Sequence, residues 1–137
     1  MQFKDSKFFE ELAHKEFNFS FGNFYLCDKF IISELSEGVH FDWDKVAEVV
    51  KIIIEHYGEN TQIAYLSNRI NSYSIKPQSW IDFFKNYDFV VASAIVTYSS
   101  FNYLNATIEK HFFEKSLKRC YSLEEAITWI YNLREFN

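Results

Sequence analysis

Residues 89–98 read FVVASAIVTY, ten consecutive positions without a charged side chain. β-branched residues dominate the run and it does not alternate with polar ones. That is the pattern of a strand covered on both faces of a parallel sheet, and it is placed at the centre of that sheet. A second strand, TQIAYLS at 61–67, repeats the pattern with no polar residue from Ile63 to Leu66. Between the two, Pro77 suits a first helical position, and Trp80, Ile81, Phe83 and Phe84 supply a helical face. Downstream, Ser99 or Ser100 caps a helix that is expected to turn Phe101, Leu104, Ile108 and Phe112 inward. A short strand, KRCY at 118–121, then leads into SLEEAITWIYNL, where Ser122 and Glu125 form a capping box.

Upstream, Asp42 caps a helix carrying Trp43, Val46, Val50, Ile53 and Tyr57 at helical spacing, and Gly58 closes it. Residues 17–35 read as two strands joined by a hairpin. Gly22-Asn23 has suitable turn chemistry, but Asp28-Lys29 is favoured because GNFYLC and FIISEL then pair as equals. Phe17, Phe19, Phe21 and Tyr25 would line one face of that hairpin. Ser6 to Lys15 reads as a short leading helix. The expected order is β-β-α-β-α-β-α-β-α: one α/β domain over residues 1–137, with a mixed, mainly parallel sheet and an N-terminal antiparallel hairpin.

Composition excludes several functional classes. A net charge of −5, with 14 basic residues scattered among 19 acidic ones, argues against a nucleic-acid surface. Lys115, Lys118 and Arg119 make the only small basic cluster, read as a solvated helix end. Cys27 and Cys120 stand apart as small buried hydrophobes, and His14, His40, His56 and His111 show no metal-ligand spacing. Three glycines cannot build a phosphate-cradling loop, and no nucleophile elbow is present. The amino terminus lacks a signal-peptide core and no run spans a bilayer, so a cytoplasmic protein without membrane span, metal or cofactor is expected.

The order of elements, with SEGVHFDWDKV (36–46), SNRINSYSIKP (67–77) and SLEEAITWI (122–130), resembles the SpoIIAA-like (STAS/SEC14-type) family of small bacterial proteins over residues 17–133. The resemblance implies a mixed sheet of four or five strands with helices packed on it, in a family most of whose members are non-enzymatic or uncharacterised. STAS relatives that antagonise anti-sigma factors carry a phosphorylatable serine at a helix start, in an Asp-Ser-Ser-Gly-like run. The matching stretch here is YLSNRINSYS, which puts Ser67 near that position without the preceding Asp or the following Gly.

Ligands of open α/β sheets sit beyond the carboxyl ends of the strands. Two polar connections are expected there: Ser67, Asn68, Arg69, Asn71, Ser72, Tyr73 and Ser74 in one, and Tyr98, Ser99 and Ser100 in the other. Free amides and Arg69 could hold an anion. His40 is expected at the opposite end of the sheet, out of reach of Ser67. The resulting expectation is a non-catalytic module that binds a protein partner or small ligand through residues 67–76, with no catalytic residues. The alternative is a carrier of a small apolar molecule in an aromatic-lined pocket, and a homodimer is possible through surplus aromatics on the hairpin.

Overall fold

A computed structural model describes all 137 residues. Six strands, β1 (Lys15–Phe19), β2 (Gly22–Leu26), β3 (Phe30–Leu35), β4 (Ile63–Arg69), β5 (Val90–Thr97) and β6 (Ser116–Cys120), lie side by side in chain order. Strand β2 runs antiparallel to its neighbours β1 and β3, and β3 to β6 are parallel. The mixed sheet with an N-terminal antiparallel end is as expected, with one strand more. Asp28-Lys29 joins β2 to β3 as favoured, whereas Gly22-Asn23 is not a turn but the start of β2, and Ser20-Phe21 joins β1 to β2 in the register Phe19↔Gly22. Gly22 is hemmed in by β3, where an added Cβ would lie 2.7 Å from the Glu34 carbonyl oxygen.

Helices α2 (Trp43–Tyr57), α3 (Ser79–Asn86) and α4 (Ser100–Lys110) are the crossovers between successive parallel strands. Because the strands step in one direction, right-handed connections carry all three to the same face. There, Val49, Val50 and Ile53 of α2 and Phe83 of α3 pack on Ile31, Leu35, Ile63 and Ile95. Helix α5 (Leu123–Tyr131) covers the other face, where Leu123, Ala126, Ile127 and Ile130 meet Ile32, Leu66, Ala92, Ala94 and Val96. Alanines on β5 let α5 approach closely. Phe3 completes this second core.

The caps are as the local chemistry dictates. Asp42 Oδ1 accepts from Lys45 N–H at 3.2 Å, Ser99 Oγ from Asn102 N–H at 3.1 Å and Ser122 Oγ from Glu125 N–H at 3.0 Å. These contacts satisfy amides that the helix itself leaves open.

Four expectations are corrected. The leading helix shrinks to a 3-10 turn at Phe3–Asp5 and one helical turn, α1 (Phe8–Glu11). Pro77 sits in the turn before α3 rather than as its first residue. The Lys118 and Arg119 pair lies on β6, not at a helix end. Tyr25 faces α5 and the N-terminal segment, whereas Phe17, Phe19 and Phe21 pack on the opposite core, because neighbouring strand residues point to opposite faces. Those aromatics therefore do not form a free hairpin surface for a second copy.

Candidate functional site

Strand β4 runs three residues past the apolar stretch, so Ser67, Asn68 and Arg69 belong to the sheet rather than to a surface loop. Each is buried because another element supplies its partner. The Arg69 guanidinium meets Glu109 of α4 at 2.5 Å, lies over the Tyr73 ring at 5.2 Å, and donates through Nε to Ser67 Oγ at 3.2 Å. Ser67 Oγ also pairs with the Tyr73 hydroxyl at 2.8 Å, and Trp80 Nε1 donates to Glu109 at 3.3 Å. Desolvation works against the Arg69 charge, but Tyr73 and Glu109 more than offset it, and its pKa ends above the ordinary value. Burial also raises the Tyr73 phenol. With 3% exposure and two partners, the Ser67 hydroxyl is not presented to a kinase.

Asn68 points to the opposite face and helps hold the chain's beginning. Its amide donates to Glu34 at 2.6 Å and to the Met1 carbonyl at 2.9 Å, while the Tyr98 hydroxyl donates to its oxygen at 2.7 Å. Phe3 N–H donates to the same Glu34 carboxylate at 2.8 Å. Burial raises the Glu34 pKa despite the hydrogen bonds from Phe3 and Asn68 that oppose it. Burial likewise pushes the Tyr98 phenol up to about 12.

The rest of the connection lies at the surface. Ser72 and Ser74 are exposed, and Asn71 donates to the Leu35 carbonyl at 3.1 Å. His40 is beside this loop and not at the far end of the sheet: its Nδ1 and Ser74 Oγ are 2.7 Å apart, and residues 40 and 74 form a parallel bridge. The reason is topological. The segment before α2 leaves the carboxyl end of β3, which is the same end as that of its parallel neighbour β4.

Helix α4 overturns the expected packing. Phe101, Leu104 and Ile108 are 71%, 65% and 49% exposed, while Ala106 and Glu109 are buried. The helix is turned so that Glu109 reaches Arg69, and its apolar stripe faces away from the core. Phe101 and Ile108, with Asn71, Ile75, Asn102 and Asn105, border a cleft of ≈ 300 Å³ between α4 and the 70–78 connection, with Arg69, Tyr73 and Glu109 at its base. Neither the inverted helix nor its buried carboxylate was read from the sequence; a lone Glu at helical spacing with Ala106 is no signal by itself. Ser99 and Ser100 are exposed at the start of α4, beside Tyr98.

The aromatic interior is filled. Trp80 packs edge-on against Phe83 and Phe113, and the space left between α2, α3 and the sheet is a cavity of ≈ 60 Å³. That is well below the roughly 300 Å³ at which small-molecule pockets begin. No helix is long and apolar enough to cross a membrane.

The topology is that of a mixed α/β protein of SpoIIAA-like fold. A solved structure described as an uncharacterised protein of the DUF3478 family with a SpoIIAA-like fold, from Shewanella loihica PV-4, is similar over 87% of this chain and 93% of its own, with a TM-score of 0.53. At 13% identity the likeness concerns fold alone. No protein-family model and no curated protein matches the chain.

Proposed function

We propose that this protein is a non-catalytic STAS-like binding module that engages a segment of a partner protein through the outer face of α4 and the adjoining Asn71–Ser74 connection. One observation carries this reading: α4 exposes Phe101, Leu104 and Ile108 although the same helix buries a carboxylate. Exposed apolar residues in one contiguous stripe favour a docking surface over ordinary solvation. The surface is also free of charge, since residues 97–108 contain no charged side chain in a chain of net charge −5. Such a face suits an apolar segment held by burial, with the Asn102 and Asn105 amides available to a partner backbone, and its affinity should change little with salt. The carrier reading loses support because the internal cavity of ≈ 60 Å³ cannot hold a ligand of ordinary size.

A photo-crosslinking residue placed at Leu104, and separately at Thr128 on the outer side of α5, tests the proposal in the cells that make the protein. The Leu104 position should yield one discrete protein adduct, absent from Thr128 and lost when Phe101→Asp is added. The purified adduct partner should then bind the parent protein and not the Phe101→Asp variant. Identical adducts from both positions, or none from Leu104, would remove the proposal.

A further inference from the structure

Beyond the carboxyl ends of β5 and β6 lies an open groove of ≈ 520 Å³, separate from the cleft above and bordered by Thr97, Ser99, Ser100, Tyr103, Leu104 and Tyr121. It opens at the amino end of α4. The Ser99 cap uses the Asn102 amide, and Tyr103 N–H returns to the Ser99 carbonyl, so the Ser100 and Phe101 amides are the helix's open donors. A helix start by itself is not a site. Here it coincides with a second feature: Thr97 is 1% exposed, borders the groove, and its Oγ1 has no hydrogen-bond partner. A buried hydroxyl left unpaired costs stability, whereas Val would fill the same strand position without that cost.

The walls select further. Tyr103 and Tyr121 stack with centroids 4.9 Å apart and planes 6° from parallel, and Arg119 lies over Tyr103 at 4.3 Å. Arg119 is anchored from behind by Thr107, which fixes the guanidinium against the ring. Tyr121 remains largely exposed, so one of its faces is open to a planar partner. The nearby Glu125 carboxylate is occupied by Tyr121 N–H at 2.8 Å and by Lys118 at 3.9 Å. No acidic side chain borders the groove itself.

The geometry points to a binding site for a small aromatic oxyanion, a ring bearing a phosphate or carboxylate group. The oxyanion accepts hydrogen bonds from the Ser100 and Phe101 amides and the Thr97 hydroxyl, assisted by the positive end of the helix dipole. The ring stacks on Tyr121 and rests against Leu104. The site lies at the amino end of α4 and shares Leu104 with the protein-docking face, so the two adjoin.

Amide chemical shifts of ¹⁵N-labelled protein, titrated separately with phenyl phosphate, benzoate and inorganic phosphate, test it. Phenyl phosphate or benzoate should give saturable shifts centred on Ser100 and Phe101, and the tighter of the two identifies the favoured group. Inorganic phosphate should bind at least about ten times more weakly, having no ring to stack. Thr97→Val should raise the melting temperature while lowering affinity about tenfold, an opposition that a purely structural threonine would not produce. Ser100→Pro removes one amide at a position where the helix tolerates proline, and should weaken binding without unfolding α4. The assignment is overturned if neither aromatic probe saturates, if inorganic phosphate binds as tightly as phenyl phosphate, or if both variants bind like the parent.

Discussion

Helices α4 and α5 flank β6 in the chain and pack on opposite faces of one sheet, but in opposite senses. Helix α5 buries Leu123, Ala126, Ile127 and Ile130 in an apolar interface against the alanines of β5. Helix α4 sends Glu109 inward to Arg69 and leaves Phe101, Leu104 and Ile108 outside. The first arrangement is what folding alone favours, because burial of large apolar side chains contributes about 1.5–3 kcal/mol each. The second sets aside that gain for a buried ion pair whose net worth is small. A helix that packs against its own stability is the feature on which the proposed docking role of α4 rests.

The sharpest way to break this comparison is at the ion pair. Arg69→Ala leaves Glu109 buried without its cation and should cost about 3–5 kcal/mol in urea unfolding. The double variant Arg69→Met, Glu109→Leu should recover the loss or exceed the parent, since apolar replacement of a buried pair is often neutral or stabilising. A double variant as unstable as Arg69→Ala would mean that the pair itself holds the fold. On the opposite face, Ile127→Ala should cost about 2–5 kcal/mol by opening a cavity under α5. Leu104→Ala, on the exposed stripe of α4, should stay within about 0.5 kcal/mol in the same measurement. If the two truncations proved equally costly, Leu104 would be core and the inversion of α4 would be wrong.

Smaller effects refine the picture. Ser122→Ala should cost about 1 kcal/mol, because the Glu125 amide loses its acceptor. Glu34 adds a pH dependence to the α5 face. Its folded-state pKa is raised, so its contribution to stability is fully present below the ordinary carboxyl range and is lost as pH rises through the raised value. Thermal melts across acid to neutral pH should therefore show the parent losing stability relative to Glu34→Gln as pH rises, with a flatter profile for the variant. Parallel profiles would show that Glu34 is not destabilised by its burial.

What could be read from the sequence was what neighbours in sequence decide. The apolar runs of β4 and β5, the caps Asp42, Ser99 and Ser122, and the parallel order all follow from local pattern and chemistry. Periodicity in α4 correctly grouped Phe101, Leu104 and Ile108 on one face but could not say which way that face points. The answer depends on Arg69, forty residues from Glu109 in the chain and met only through the sheet. The same limit applies to Ser67–Arg69, whose polarity suggested a loop because their partners Tyr73, Glu34 and Glu109 are brought in by other elements. At the hairpin, two candidate turns were weighed as rivals when the chain uses a turn near each and gains a strand. Ser72 and Ser74 of the expected site are exposed, while the outer face of α4, the proposed docking surface, reads from periodicity as core.

Native-state hydrogen exchange at increasing urea, resolved by residue, tests the central contrast most directly. The account predicts that α4 amides exchange through a local opening, at a free energy well below the global value and with little urea dependence, while α5 amides exchange only on global unfolding. Exchange of α4 and α5 at one common free energy, with the full urea dependence of unfolding, would contradict it.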